Sequence, residues 1–239
     1  MKTTELSKSE SLAAADHHSA RGWFAALALL LVCASARGQV NSGSTGADGA
    51  FNPTTNTVVD MRDHPTGIYH YTTVNIPTNV TVTFIPNANN TPVVWLVRSN
   101  CVITGMVDIS GRDSTGGAGA LGGPGGYRGG SSGNLVASAG DGPGGGVASG
   151  GASSGPGGNA SYATLGYTNY SGVLPGSLYG NVFLIPLLGG SGGGGASNAG
   201  DNTGGGGGGG AILIAASGSI TLNGNIRARP GVGCNSAGR

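Results

Sequence analysis

Seven consecutive glycines, Gly204 to Gly210, run directly into Ala211-Ile212-Leu213-Ile214-Ala215, and they close a tract from Gly111 to Gly210 that holds 39 of the chain's 51 glycines. Glycine brings no side chain to bury and no acid, base or nucleophile, and it loses the most backbone entropy on ordering. A segment built from it is poorly suited to be a compact catalytic domain. The 239 residues suffice for one domain, yet setting the tract aside leaves little apolar sequence for a large core. The core is therefore expected to be thin or repetitive.

Charge is scarce and uneven. Lys2, Lys8, Glu5 and Glu10 are the only lysines and glutamates, all in the first ten residues, and beyond Gln39 seven Asp balance seven Arg. A nucleic-acid binder needs a basic stripe to neutralise phosphates, and Arg227 and Arg229 are an isolated pair, so no nucleic-acid partner is expected. At the N-terminus a polar leader ending in Arg21 precedes the apolar run Trp23 to Val32 and then Ala34-Ser35-Ala36, the order of a secretory signal, with cleavage expected after Ala36. The stretch Trp23 to Ala36 is shorter than the ~20 residues of a membrane-crossing helix. A lipid-anchored Cys33 is disfavoured by Val32, which stands where such signals want a small residue. The membrane is thus expected to matter only through the signal segment, and the product to be secreted or held at the cell surface. Cys101 and Cys234 then remain, and the sequence leaves open whether they are bridged.

From Val58 to Ser110 short runs rich in Val, Ile and Thr are broken by Pro, Asn and Gly, which predicts strands at Tyr71 to Ile76, Val80 to Phe84, Val93 to Val97, Val102 to Thr104 and Val107 to Ile109. A repeat aligns them. Val74, Val80 and Val82 are followed 22 residues later by Leu96, Val102 and Thr104, and 118 residues after those by Ile214, Ile220 and Leu222. After a slip of one residue, Gly105-Met106-Val107 matches Gly224-Asn225-Ile226. A spacing in the low twenties is what one coil of a parallel β-solenoid requires, with three strands of about five residues plus corners. Arg98 spoils the register, falling at the inward parity of Ile76 and Ala216. A small β-sandwich is the alternative, but clear hairpin dipeptides are nearly absent and the repeated element returns whole. The expected fold is all-β: a short right-handed parallel β-helix with a long glycine-rich insertion and an N-terminal signal helix. Its parts would be 1–36 signal, 37–57 polar linker, 58–111 first coils, 112–210 insertion and 211–239 a further coil. The tract itself reads either as a flexible loop or as closely packed polyproline-II-like strands. Its apolar island Val182 to Leu188 suggests docking on the β body.

The stretches Gly46 to Pro53, Gly67 to Pro77 and Val80 to Phe84 resemble the opening of large glycine-rich exported bacterial proteins, with further likeness at Val102 to Gly111 and Gly204 to Gly233. The resemblance implies an adhesin-like or surface-associated β-solenoid. The chain departs from that group by stopping at Arg239 without a recognisable cap or sorting tail, which leaves open whether it is a whole protein.

Residues with site chemistry are few. The glycine run matches a phosphate-loop pattern trivially, but a strand rather than a helix follows and no lysine remains after the signal, so no nucleotide is expected. Asp60, Asp63, His64 and His70 are the one cluster of metal-ligand character, better read as turn residues; Asp141 and Asp201 lack the tandem pattern of calcium-binding repeats. A carbohydrate-active enzyme would need Asp108 and Asp113 to converge with Arg98 or Arg112, whereas an exposed ion pair is the plainer reading. For polysaccharide binding, Thr72, Thr73, Thr81 and Thr83 begin a short threonine ladder, and Tyr69, Tyr71, Tyr162, Tyr167, Tyr170 and Tyr179 are candidate sugar platforms. No catalytic, cofactor-binding or metal residue is assigned, and no cofactor is expected. The function expected is an exported, non-enzymatic structural or adhesin-like surface protein. A carbohydrate-binding or carbohydrate-active β-helix, like a polysaccharide lyase or hydrolase, is the rival, and the partner expected for the chain is a cell-surface or extracellular polysaccharide.

Overall fold

The computed structural model describes residues 40–133, 136–150, 155–168, 172–197 and 203–234. The predicted signal and Cys33 lie outside them, as do Tyr170 and Asp201. The described chain is nearly all-β: β1 Ala50–Phe51, β2 Thr57–Asp60, a 3-10 turn Met61–Asp63, β3 Ile68–Tyr71, β4 Thr73–Ile76, β5 Thr81–Ile85, β6 Val93–Val97, β7 Cys101–Ile103, β8 Met106–Asp108, β9 Ile212–Ala216, β10 Ile220–Leu222 and β11 Asn225–Arg227. Three parallel sheets stack these strands, in the orders β1-β4-β7-β10, β2-β5-β8-β11 and β3-β6-β9. The chain visits the sheets in rotation, an arrangement compatible with a β-solenoid.

Alternation along each strand supplies the core. Phe51, Val74, Cys101 and Ile220 stand in one column, Thr57, Val82, Val107 and Ile226 in a second, and Tyr69, Trp95 and Ile214 in a third. Burial is complete in the middle of the stack, at Val82, Trp95, Cys101 and Val107, and falls at its last layer, where Ile220 and Leu222 are exposed. Aromatic rings gather at the first layers: Phe51 stacks on Tyr71 at 5.2 Å, and Trp95 meets Tyr71 edge-on at 6.0 Å. Gly105 makes the β7–β8 corner possible, since a Cβ there would lie 2.3 Å from the Val80 carbonyl.

The observed register corrects the 22-residue and 118-residue alignments. Val74 pairs with Cys101, Val82 with Val107 and Leu96 with His70, so every step between coils is longer than 22 residues. From β6–β8 to β9–β11 the offset is the 119 residues that separate Asn100 from Ser219, so Trp95, not Leu96, pairs with Ile214. A one-residue shift exchanges the two faces of a strand. Continuous apolar runs such as Val93 to Val97 carry no alternation to betray the error. Arg98 creates no conflict, because the chain turns there: its N–H donates to the Tyr71 carbonyl and its side chain is exposed. The stretch expected to be a linker carries β1 and the first residue of β2.

Between β8 and β9 the described residues form only isolated bridges, yet they are packed. A Cβ on Gly204, Gly207 or Gly210 would meet the carbonyls of Ala118, Leu121 and Pro124; on Gly205 or Gly208, those of Gly193 and Gly190; on Gly206 or Gly209, those of Gly231 and Ala228, all at 1.8 to 2.7 Å. Positions three apart meet the same neighbouring segment, three residues onward along Ala118 to Pro124 and three residues back along the other two segments. That is the period of polyproline II, and the run is enclosed on three sides. None of the seven has a left-handed φ, so it is the missing Cβ that selects glycine here. Backbone donors are satisfied between segments: Gly205 N–H donates to Gly130, Gly208 to Tyr127 and Gly210 to Ile109.

The apolar island corrects an expectation. Val182, Phe183, Leu184 and Ile185 are exposed rather than docked, and only Leu187 and Leu188 are half-buried. Asn181 is the local cause, since its side chain and carbonyl close a turn over the next four residues that points their side chains outward.

Candidate functional site

The densest polar cluster sits where residues 42–48 cross the ends of the coils. Ser42 Oγ donates to the Val97 carbonyl and Ser44 Oγ to the Tyr71 carbonyl, each at 2.8 Å, while the Ser42 N–H reaches Ser217 Oγ at 3.0 Å. This strap ends at Asp48, held between left-handed Gly46 and Gly49. Asp48 Oδ2 accepts the His70 N–H at 2.5 Å, and Asp48 Oδ1 stands 3.3 Å from His64 Nε2. His64 Nδ1 lies 2.8 Å from Asp63 Oδ1, so one imidazole bridges two carboxylates. Its ring stacks on Tyr69 at 4.2 Å.

Burial opposes charge in this cluster, but the bonds outweigh it. Burial is the largest single influence on Asp48 and raises its pKa; the His70 N–H and the His64 ring together bring it below the usual carboxylate range. For His64 burial likewise comes first and lowers the pKa, and the hydrogen bonds and charges of Asp63 and Asp48 carry it above the usual imidazole range. The arrangement ties the strap to the first circuit by a charge-assisted pair. Asp60 does not join it. Arg62 engages both its carboxylate oxygens, and that hydrogen bonding lowers Asp60 to about 2. His70 contributes its backbone N–H, and its Nδ1 accepts from the Thr45 N–H at 3.2 Å. Among the described residues no group of three or more His, Cys, Asp or Glu is placed to hold a metal ion. Sequence reasoning missed Asp48, whose one signal was an acidic residue flanked by turn glycines.

The other candidates are dispersed. Asp108 Oδ2 lies 3.6 Å from an Arg227 guanidinium nitrogen in the next coil, and its Oδ1 accepts the Ser110 N–H at 3.0 Å. Asp113 instead accepts the Val232 N–H at 2.7 Å, while Arg98 and Arg112 are exposed. Asp141 engages through its backbone, with Arg128 and Gly192. The threonine ladder stops at once: Thr83 stands between Val58 and Asp108, and Thr81 beside Met106.

The tyrosines divide. Tyr69 and Tyr71 are buried core residues, not platforms, because β3 turns both inward. Burial pushes Tyr69 up to about 12 and Tyr71 higher still, and Tyr69 Oη has no hydrogen-bond partner among the described residues. Tyr162 and Tyr179 form a T-shaped pair at 4.9 Å, with hydroxyls on the Leu188 and Gly189 carbonyls. Tyr167 alone of these is widely exposed, at 81%. Cys101 and Cys234 are unbridged; Cys101 is buried and its thiol is pushed up to about 11 by that burial. Compared with family models, with curated proteins and with solved structures, the chain matches none of them.

Proposed function

We propose that this chain is an exported, non-enzymatic structural or adhesin-like surface protein: a right-handed parallel β-helix whose third circuit is opened by a glycine-rich insertion. The reading agrees with the signal-like leader and with the resemblance to glycine-rich exported bacterial solenoids. One observation carries it. The candidate acids have separate local partners, Asp108 with Arg227, Asp113 with the Val232 N–H and Asp60 with Arg62, which favours structure over a converging acid–base pair. The mechanism is then mechanical, with stacked coils as a rigid rod and the low-charge insertion as a backbone-rich contact face, an extracellular polysaccharide being its expected ligand.

Two measurements test this. Fractionation of the producing cells should find the mature chain outside the cytoplasm, beginning after Ala36; a cytoplasmic chain with its leader intact sinks the export reading. A turnover screen on acidic polysaccharides should find no product, and turnover abolished by Asp108→Asn would replace the structural reading with the enzymatic one.

A further inference from the structure

We infer that the loop Val182-Phe183-Leu184-Ile185 is an insertion tip for an uncharged lipid surface. Four successive large apolar side chains are exposed there by 89, 79, 51 and 75%. Solvent is a poor environment for such a run, and contiguous apolar exposure marks an interaction face. The tip continues into an apolar groove of about 570 Å3, lined by Leu165, Leu184, Leu187 and Leu188 on one side and Ile212 and Ile226 on the other.

Three features choose the occupant. First, Asn181 closes the loop on itself and pairs most of its donors: Asn181 Oδ1 accepts the N–H groups of Phe183 and Ile185, the Asn181 carbonyl accepts that of Leu184, Asn181 Nδ2 donates to the Ile185 carbonyl, and Pro186 has no N–H to satisfy. Pairing these donors within the loop lowers the cost of taking the tip out of water, and the loop carbonyls left unpaired keep it at the headgroup boundary. Second, charge matches. No Asp, Glu, Lys, Arg or His occurs between Asp141 and Asp201, so the tip and the groove wall that continues from it carry no charge and complement a neutral phase, while Arg227 and Arg229 flank Ile226 and Ala228 on the opposite wall. Third, Leu184 is held at φ 51°, a left-handed conformation that aliphatic residues seldom adopt, and it keeps its side chain exposed there. Tyr162 and Tyr179 lie behind the tip with their hydroxyls bonded to the Leu188 and Gly189 carbonyls, amphipathic rings of the kind that settle at a membrane–water boundary. Insertion is shallow. Among the described residues no helix is long and apolar enough to cross a membrane.

The inference goes beyond the proposed function and does not depend on export or on a polysaccharide ligand, so either can fail alone. The experiment is cosedimentation of the full chain with neutral phosphatidylcholine vesicles at low and high salt. Binding is expected, changing by less than about twofold with salt because no charges are paired. Phe183→Asp should weaken partitioning by roughly tenfold or more, while Val136→Asp, at a site 82% exposed elsewhere, leaves it unchanged. Phe183→Trp should still bind, with its emission shifted to the blue and quenched by brominated acyl chains. Absence of wild-type binding, binding to anionic vesicles alone that salt abolishes, or equal loss with Val136→Asp each overturns the inference. Self-association without vesicles that Phe183→Asp abolishes would assign the tip to a second copy instead.

Discussion

The coil stack and the glycine tract reach order by opposite routes. In the stack, side chains fill the interior: Trp95, Val82 and Val107 are wholly buried, and each strand adds its inward residues to columns begun by the strand before. In the tract, backbones approach because side chains are missing, and carbonyls of Gly190 and Leu121 occupy the places where Gly208 and Gly207 would carry a Cβ. Removing atoms should damage the first region, and adding them the second. Close packing thus does not require large residues, provided each backbone donor finds an acceptor on a neighbouring segment.

The largest effect that would break this contrast is expected from Trp95→Ala, which empties the middle of the stack and should cost about 3–5 kcal/mol in denaturant unfolding. A cost under about 1 kcal/mol would mean that the columns do not carry the fold. Next comes Gly208→Ala, whose Cβ falls 1.8 Å from the Gly190 carbonyl and should cost about 1–3 kcal/mol. The two described cysteines sharpen the point: Cys101 lies in the core and the Cys234 N–H donates to the Gly204 carbonyl. Peptide-resolved alkylation should show Gly208→Ala speeding the labelling of Cys234 more than that of Cys101, with the reverse for Trp95→Ala. Equal acceleration at both would show that the regions unfold as one unit.

A smaller effect follows from the strap. Asp48 is lowered, so its contribution is present above the ordinary carboxylate range and is lost as pH falls through its folded pKa. His64 is raised, so its contribution is present below the ordinary imidazole range and is lost as pH rises through its folded pKa. Both side chains are about a quarter exposed, 27% and 26%, so the linked change should stay below about 1 kcal/mol. Thermal unfolding midpoints should peak between these ranges, and His64→Gln should flatten the alkaline limb. The smallest effect is expected at Gly116, where a Cβ meets nothing within 4 Å: Gly116→Ala should stay within about 0.5 kcal/mol of the parent. A large loss there would show that glycine is needed for more than close approach.

Much of the fold was legible. β6 has the bounds expected from the sequence, Val93–Val97, because a run of β-branched and aromatic residues between Pro92 and Ser99-Asn100 has few other conformations. β1 escaped notice, since two residues carry no period and owe their conformation to pairing with β4. The candidate site was less legible: Asp48 meets His64 only because the strap runs back along the corner, a contact sixteen residues apart that local pattern does not encode.

By itself the amino-acid order determined the strand-and-corner texture, the scarcity of charge and the return of one element beyond the glycines. Those are properties of short windows, where β-branched residues, turn formers and glycine act locally. Only the tertiary structure decided the register, the inward turn of Tyr69 and Tyr71, the outward turn of Val182 to Ile185 and the three-sided enclosure of Gly204 to Gly210. Each depends on which distant backbone lies alongside. A run of glycine or of uninterrupted aliphatics has no alternation of its own with which to choose a neighbour or a face.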